Sequence, residues 1–316
     1  MYSRIIVPLD GSPMAEQVLP HVRMFAQKLT VPILLLRAYS PYPAELSDPA
    51  HGRYLDQMDA ALQDQVYDYL DRVKGSIPDA RAEISCLVRA GDPASCIVAE
   101  SEADPDALVV ISTHGRTGIG RWVFGSVTDK VLHAIKNPLW IIRSQEDLSL
   151  SREGLKTIVV PLDGSTVAEQ ILPHVVFLAK SLGLHLKLVR ARPALEEYQH
   201  YLEGHLMGGG ATVYTGNYEV FSNEADAAAM NYLHDVREKL QKQGVWSVEE
   251  DLIKEHAPEA IIESVGHDSD KMVAMTTHGY SGIARWVMGS VTDRVVRHAG
   301  VPVLVVRANQ SPDKNS

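Results

Sequence analysis

One stretch of sequence, IVPLDGSPMAEQVLPHV at residues 6–22, decides the fold because it recurs as VVPLDGSTVAEQILPHV at residues 159–175. Thirteen of the 17 aligned positions are identical. A second pair follows in the same order: residues 113–131 read THGRTGIGRWVFGSVTDKV, residues 277–295 read THGYSGIARWVMGSVTDRV, and 14 of 19 positions match. Two matched blocks in the same order in each half indicate that a whole domain has been duplicated.

The two halves differ in length between their matched blocks. Pro8 and Pro161 are 153 positions apart, whereas Gly115 and Gly279 are 164 apart, so the second half carries about eleven extra residues. We place this insertion at about 196–226, where it forms either a lid over the second site or a loop without function. The predicted organisation is a first domain at 1–146, a linker at 147–154, a second domain at 155–308 and a polar tail at 309–316.

Each half alternates short apolar runs with amphipathic stretches, which predicts strands and helices in turn. The predicted strands of the first half are residues 5–7, 33–36, 84–88, 108–111 and 139–142, and those of the second half are 158–160, 186–189, 246–252, 272–275 and 303–306. Apolar strands joined by helices predict an α/β fold of two tandem, doubly wound, parallel five-stranded sheets with helices on both faces, which is Rossmann-like.

Two helices of the first half are predicted in detail. One is expected to begin with Ser12 as its N-cap and Pro13 at its first position. Its buried stripe is Ala15, Val18, Leu19, Val22, Phe25, Ala26 and Leu29. The other is long, and its apolar face consists of Leu55, Met58, Leu62, Val66, Leu70 and Val73. Both stripes have helical spacing.

Composition narrows the class of protein. The chain has 316 residues, of which 45% are hydrophobic and 22% charged, and its formal net charge is −10. An acidic surface of this kind repels phosphate backbones and anionic lipids, so we expect no nucleic-acid or membrane partner. Cys86 and Cys96 lack a CxxC partner, and the sequence shows neither a signal peptide nor a membrane-spanning run. These features predict a cytoplasmic protein.

Two loops in each half are expected at the carboxyl ends of the strands, where ligands bind in doubly wound sheets. One is the turn PLDGS at 8–12, repeated at 161–165. The other runs from 113 to 126, repeated at 277–290, and its final Gly-Ser opens a helix whose first N–H groups favour an anion. The alternative is a structural role, in which the aspartates of the turn and the serines of Gly-Ser merely cap helices. Neither half contains GxxxxGK[ST], nor GxGxxG in a Rossmann context.

These loops resemble the universal stress protein family, whose ATP-binding members carry G-x2-G-x9-G-[S/T] after the fourth strand. The sequence matches the last two thirds of that pattern twice, with Gly115 before Gly125-Ser126 and Gly279 before Gly289-Ser290. Ser112 and Thr276 stand where the first glycine belongs. If that position requires a positive φ, a β-branched Thr is strained there, so the first half is the stronger candidate site.

The resemblance covers nearly the whole chain and implies two domains of the adenine nucleotide alpha hydrolase-like type that bind ATP, with Mg²⁺ or Mn²⁺ as a candidate companion ion. The aspartates of the turns would face adenine and ribose, the backbone just past the second strands would meet the adenine edge, and the glycine loops would hold the phosphates. The predicted binding residues are Pro8, Asp10, Gly11, Ala38, Ser112, Gly115, Gly125, Ser126 and Val127 in the first half, and Pro161, Asp163, Gly164, Ala191, Thr276, Gly279, Gly289, Ser290 and Val291 in the second.

Three functions remain open, in this order of preference. The first is an ATP-binding stress-response regulator, the second a scaffold that keeps the fold for association without nucleotide, and the third a slow ATPase. An ATPase needs a positioned water and a charge clamp, for which the sequence offers only His114 and Arg121, and both have a structural alternative. The resemblance also implies that the two domains associate through their last strands, and we expect a homodimer of the tandem.

Overall fold

A computed structural model describes residues 1–41, 52–113, 125–143, 154–192, 218–266, 268–277 and 288–308. These residues form two compact units, one in each half of the chain. The predicted linker, apart from its last residue, most of the predicted insertion and the tail lie outside the described residues.

The first unit is a five-stranded parallel sheet with helices between its strands. Its strands pair in the order β3-β2-β1-β4-β5. The order reverses at β1, between β2 and β4, which is where a doubly wound sheet opens a crevice. The elements are β1 (Ile5–Pro8), α1 (Leu19–Lys28), β2 (Ile33–Tyr39), α2 (Gly52–Gly75), β3 (Ile84–Ala90), α3 (Pro93–Glu102), β4 (Leu108–Thr113), α4 (Ser126–Ala134) and β5 (Leu139–Arg143).

The second unit repeats this architecture. Its strands are also parallel and pair in the order β8-β7-β6-β9-β10. Residues 218–226 of the predicted insertion are the first turns of its long helix α6. The elements are β6 (Thr157–Pro161), α5 (Leu172–Leu182), β7 (His185–Ala191), α6 (Tyr218–Lys242), β8 (Val248–Ile253), α7 (Ala257–Val265), β9 (Lys271–Thr276), α8 (Ser290–His298) and β10 (Val303–Val306).

The predicted fold class is confirmed, and the burial of the central strands explains it. Ile5, Ile6 and Val7 of β1 are all 0% exposed, although neighbouring side chains of a strand point to opposite faces. The sheet is therefore covered on both sides, as continuous apolar strands predict. No helix among the described residues is long and apolar enough to cross a bilayer.

The first helix begins later than predicted. Residues Ala15–Val18 form a 3-10 helix, and α1 starts at Leu19 rather than at Pro13. Pro20 gives the reason, because a proline inside a longer helix would lose a hydrogen bond and clash with the preceding turn, whereas the start of a helix tolerates it. The predicted apolar stripe is nevertheless buried throughout, from Ala15 to Leu29.

Two other boundaries differ from the prediction. The apolar face of α2 is buried at Val66, Leu70 and Val73, but Met58 is 47% exposed, so the sheet covers only the second half of that stripe. Strand β8 starts at Val248, and Trp246, which was expected to open it, is 75% exposed. Met58 and Trp246 therefore lie beyond the part of the sheet that could bury them.

Candidate functional site

A cavity of about 220 Å³ lies at the carboxyl ends of β1, β2 and β4 in the first unit. Its position is the crevice that the change in strand order creates. Its volume is enough for part of a small molecule, below the roughly 300–1,000 Å³ of complete ligand pockets. The lining residues come from three strands, from the turn and the 3-10 helix after β1, and from the starts of α3 and α4: Pro8, Leu9, Asp10, Ser12, Met14, Ala15, Leu36, Ala38, Pro93, Ile97, Ile111, Ser112, Gly125, Ser126, Val127 and Thr128.

The turn after β1 presents a carboxylate to this cavity. Asp10 Oδ1 accepts a hydrogen bond from the Ser12 amide at 2.8 Å, and Ser12 Oγ accepts one from the Ala15 amide at 3.1 Å. Between them, Gly11 has a φ of +86°, which favours glycine. The aspartate therefore shapes the turn and does not cap the helix, which differs from the structural alternative. Asp10 still lines the cavity, and it is the only charged side chain among the described residues that does so.

The second unit contains the same turn. Asp163 Oδ1 accepts hydrogen bonds from the Ser165 amide at 2.9 Å and from its hydroxyl at 2.6 Å, and Gly164 has a φ of +91°. Ser165 Oγ in turn accepts a hydrogen bond from the Ala168 amide at 3.1 Å. The duplicated sequence thus gives the same backbone twice, including the left-handed glycine.

The start of α4 provides backbone donors to the cavity. Gly125 is the N-cap, with φ −58° and ψ 148°, and Ser126 is the first helical residue. The N-cap is a glycine without a side chain, and Ser126 already lies inside the helix, so the hypothesis that Ser126 caps it is wrong. The first N–H groups of a helix have no acceptor within it, and here Gly125 through Thr128 line the cavity. In the second unit, Gly289 caps α8 with nearly identical angles, −58° and 150°.

The serine and threonine that replace the first glycine of the family pattern are accommodated without strain. Ser112 lies in β4 and Thr276 ends β9, and Asp79 is the one described residue other than glycine that has a positive φ. The carbonyl groups of both residues accept hydrogen bonds from threonines one turn into the helices, from Thr128 at 3.3 Å and from Thr292 at 3.0 Å. The strain that was expected to disfavour the second half is therefore absent at Thr276.

The two units differ at the helix after the third strand. In the first unit Asp92 caps α3 and accepts hydrogen bonds from the Ser95 amide at 3.0 Å and hydroxyl at 2.8 Å, which hold the pKa of its carboxyl below its ordinary value. The Nζ of Lys130 in α4 lies 3.6 Å from Asp92 Oδ1. The corresponding N-cap of α7 is His256, whose side chain makes no capping hydrogen bond.

Most of the predicted residues of the first half meet at this cavity. Those that line it are Pro8, Asp10, Ala38, Ser112, Gly125, Ser126 and Val127. Gly11 is absent from the lining, and a Cβ placed on it would face the Arg37 side chain instead. In the second unit Pro161, Ala191 and Thr276 end their strands, Asp163 and Gly164 form the turn, and Gly289, Ser290 and Val291 open α8. The glycines Gly115 and Gly279, together with His114 and Arg121, lie outside the described residues.

Apart from Pro8, Ala38 and Val127, the apolar part of the lining was not predicted. Leu36 was available from strand alternation, because it lies two residues before Ala38 and faces the same side. Met14, Pro93, Ile97 and Ile111 reach the cavity from three separate places in the chain, the turn after β1, α3 and β4. Only the three-dimensional arrangement identifies them as one surface.

Comparisons with known proteins agree with this architecture. The model of the universal stress protein family matches residues 1–143 and 154–307. Universal stress protein MJ0531 of Methanocaldococcus jannaschii is 25% identical over 147 residues, which are 45% of this chain and 83% of that protein. A putative universal stress protein of Staphylococcus aureus strain USA300 is 29% identical over 159 residues, 50% of this chain and 87% of that one.

A solved structure shares this fold. A universal stress protein from Archaeoglobus fulgidus aligns with a TM-score of 0.63 and 19% identity, covering 98% of this chain and 100% of that chain. At this identity the similarity shows a shared fold. Because the family model matches both halves, the chain belongs to the universal stress protein family and carries two copies of its domain in tandem.

Proposed function

We propose that the cavity of the first unit binds an adenine nucleotide, ATP, and that the protein is a nucleotide-dependent stress-response regulator of the cytoplasm. One observation carries the proposal: a single cavity brings together a carboxylate, apolar walls and the N-terminal end of a helix. These are the chemistries that ribose, adenine and phosphate respectively require.

Each part of the ligand has a matching part of the wall. Leu36, Ile97 and Ile111 offer apolar surface for the base, while the backbone at Ala38 is placed at the end of β2 to meet its polar edge. A carboxylate only accepts hydrogen bonds, so Asp10 suits the hydroxyls of ribose. The amides at the start of α4 would hold the phosphates, since such donors and the helix dipole favour anions.

The second unit has the same turn and the same helix start, and we propose that it binds the same class of ligand more weakly. The difference rests on the helix after the third strand. Asp92 fixes the start of α3 in the first unit, and Pro93 and Ile97 of that helix line the cavity. His256 does not fix the start of α7 in this way.

We propose binding without efficient turnover. Around the first cavity the described residues supply a carboxylate and hydroxyl groups, whereas phosphoryl transfer also needs a charge clamp. The described residues contain no cluster of three or more His, Cys, Asp or Glu side chains that could hold a metal, so they do not by themselves form a site for the companion ion. The companion ion, the homodimer and the association through the last strands stay predictions.

Mass spectrometry of small molecules released from the freshly purified, denatured chain tests the proposal. We expect an adenine nucleotide from the wild type and none from Gly125→Trp, whose indole would fill the space beside α4. Release of no nucleotide by the wild type, together with no binding of added ATP, would favour the scaffold. Steady phosphate release that Gly125→Trp abolishes would instead favour the ATPase.

A further inference from the structure

The turn that carries Asp10 packs against an arginine on the side away from the cavity. Leu36 and Ala38 of β2 line the cavity, and Arg37 lies between them. Because side chains alternate along a strand, Arg37 projects to the opposite face of the sheet, behind the turn. No sequence pattern indicates a role for this residue.

The guanidinium group of Arg37 lies against Gly11. A Cβ placed on Gly11 would be 2.9 Å from both Nη1 and Nη2 and 3.0 Å from Cζ. Because both nitrogens are at least as near as Cζ, the glycine lies over the outer end of the flat guanidinium group, which carries the two nitrogens. Any larger residue at this position would have to displace the arginine, so the close approach depends on glycine.

A tyrosine from α2 holds the arginine in place. Arg37 Cζ lies 4.6 Å from the centre of the Tyr69 ring, within the range of a cation–π interaction. The Tyr69 hydroxyl donates a hydrogen bond to Glu16 Oε1 at 3.0 Å. Burial and the nearby Glu16 carboxylate raise the pKa of Tyr69. Glu16 belongs to the 3-10 helix that follows the turn. Through Arg37 and Glu16, Tyr69 therefore connects α2 both to the turn at Gly11 and to this 3-10 helix.

The second unit repeats the arrangement. A Cβ on Gly164 would lie 3.1 Å from Arg190 Nη2, and Arg190 Cζ is 5.0 Å from the centre of the Tyr232 ring. The Tyr232 hydroxyl lies close enough to Glu169 for that carboxylate to raise its pKa, after the larger effect of burial. The two groups do not form a hydrogen bond of normal geometry, since the Tyr232 hydroxyl has no hydrogen-bond partner in the described part of the chain.

Divergence between the two halves makes this repetition informative. Residues 58–77 of α2 and the loop after it align with 221–240, and three of those 20 positions are identical: Tyr69 with Tyr232, Leu70 with Leu233 and Val73 with Val236. The leucines and valines are buried core residues. The tyrosine is the identical position with a polar group, and in each half it contacts the arginine behind the turn.

We propose that Arg37 is a positioning residue for nucleotide recognition, and that Arg190 has the same role in the second unit. This inference rests on the proposed function. Arg37 presses on Gly11 from behind and so fixes the direction in which Asp10 faces the cavity; Tyr69 and Glu16 keep the arginine in that position. Recognition of a ribose hydroxyl requires this orientation, because a hydrogen bond weakens steeply when its angle or distance changes.

The test compares two ligands, adenosine and ATP, by calorimetric titration of the full chain with its second crevice blocked by Gly289→Trp. In that background we expect Arg37→Met to weaken the binding of both ligands at least about tenfold, because Asp10 contacts the nucleoside that they share. Arg37→Lys does not restore affinity, since an ammonium group lacks the flat surface that packs on Gly11. Arg72→Met is the matched control, an exposed arginine of α2, and it binds like the wild type.

Further measurements of affinity and hydrogen exchange distinguish this positioning role of Arg37 from direct contact with phosphate. Tyr69→Phe, which keeps the ring, binds more tightly than Tyr69→Leu, which removes it. Hydrogen exchange without ligand is faster in Arg37→Met at residues 9–13, with little change elsewhere in the unit. If Arg37 instead served as a cation for phosphate, Arg37→Met would weaken ATP alone and Arg37→Lys would restore it, which would overturn the inference.

Equal affinity of wild type and Arg37→Met would also overturn it. A wild-type chain that binds neither adenosine nor ATP would refute the proposed function itself, and the wild-type titration reveals that result separately.

Discussion

Replacing Gly11 by alanine tests the packing behind the turn. The left-handed conformation at φ +86° costs an L residue about 1 to 2 kcal/mol. The new methyl group would also meet the Arg37 guanidinium at 2.9 Å. Because that side chain is flexible, it moves away rather than clashing, and the lost stacking on Tyr69 costs about 0.5 to 1 kcal/mol more. We therefore expect Gly11→Ala to destabilise the first unit by about 2 kcal/mol.

Two other glycines separate the contributions. Gly183 has a φ of +73°, but no other described residue comes within 4 Å of a Cβ placed on it, so Gly183→Ala reports the backbone strain alone, about 1 to 2 kcal/mol. Gly75 ends α2 without a positive φ, and a Cβ placed on it likewise has no neighbour within 4 Å in the described part of the chain outside its own helix. Gly75→Ala is therefore expected to stabilise the protein by about 0.5 to 1 kcal/mol.

Unfolding in urea, followed by hydrogen exchange and mass spectrometry, measures the free energy of each unit separately, which a single global transition of a two-domain chain would not. In the Arg37→Ala background the cost of Gly11→Ala should fall to the backbone strain, a coupling of about 0.5 to 1 kcal/mol. The reasoning is refuted if Gly11→Ala costs no more than Gly183→Ala, or if its cost is unchanged when Arg37 is absent.

Two further predictions concern titration and capping. Burial beside Trp140, whose ring centre lies 5.8 Å away, lowers the pKa of His21 to about 4 from 6.5, and burial lowers the pKa of His174 in the same direction. The neutral imidazole is favoured in the folded state, so stability is fully present above pH 6.5 and decreases as the pH falls towards 4, by at most about 3 kcal/mol from His21. The urea midpoint of the first unit, measured between pH 7.5 and 4.5, should decrease as the pH falls. This decrease should be smaller in His21→Gln, and an equal decrease in both proteins would contradict the assignment. His256→Asp should stabilise the second unit by about 0.5 to 1 kcal/mol, because it adds the cap that Asp92 already provides to α3, and Asp92→Ala should destabilise the first unit. A melting temperature of His256→Asp below that of the wild type would contradict the capping argument.

The fold was largely predictable because its main signals are local and repeated. Strands such as β1 and β4 are continuous apolar runs, and a parallel sheet covered by helices is the structure that buries such runs on both faces. The predicted start of α1 was wrong, and the physical reason is also local: Pro20 fits only near the beginning of a helix. The position of Trp246 depends on where the sheet ends, which no local pattern specifies.

The candidate site was predictable only in part. Gly125 and Ser126 belong to a loop whose glycines and helix start indicate anion binding by themselves, whereas the role of Asp10 was implied only by the resemblance to the family. The contribution of Ile97 depends on the distance between α3 and β4, which tertiary packing sets. Arg37 was missed because, read along one strand, it is merely the polar residue at the end of an apolar run; its contacts lie in α2 and in the turn.

Binding of ATP to the wild-type chain and to Gly125→Trp is the most direct test of the account. Equilibrium titration with ATP should show one stronger site per chain in the wild type, lost in Gly125→Trp and retained in Gly289→Trp. If Gly125→Trp binds ATP as the wild type does, the nucleotide does not occupy the cavity beside α4, and the account is contradicted.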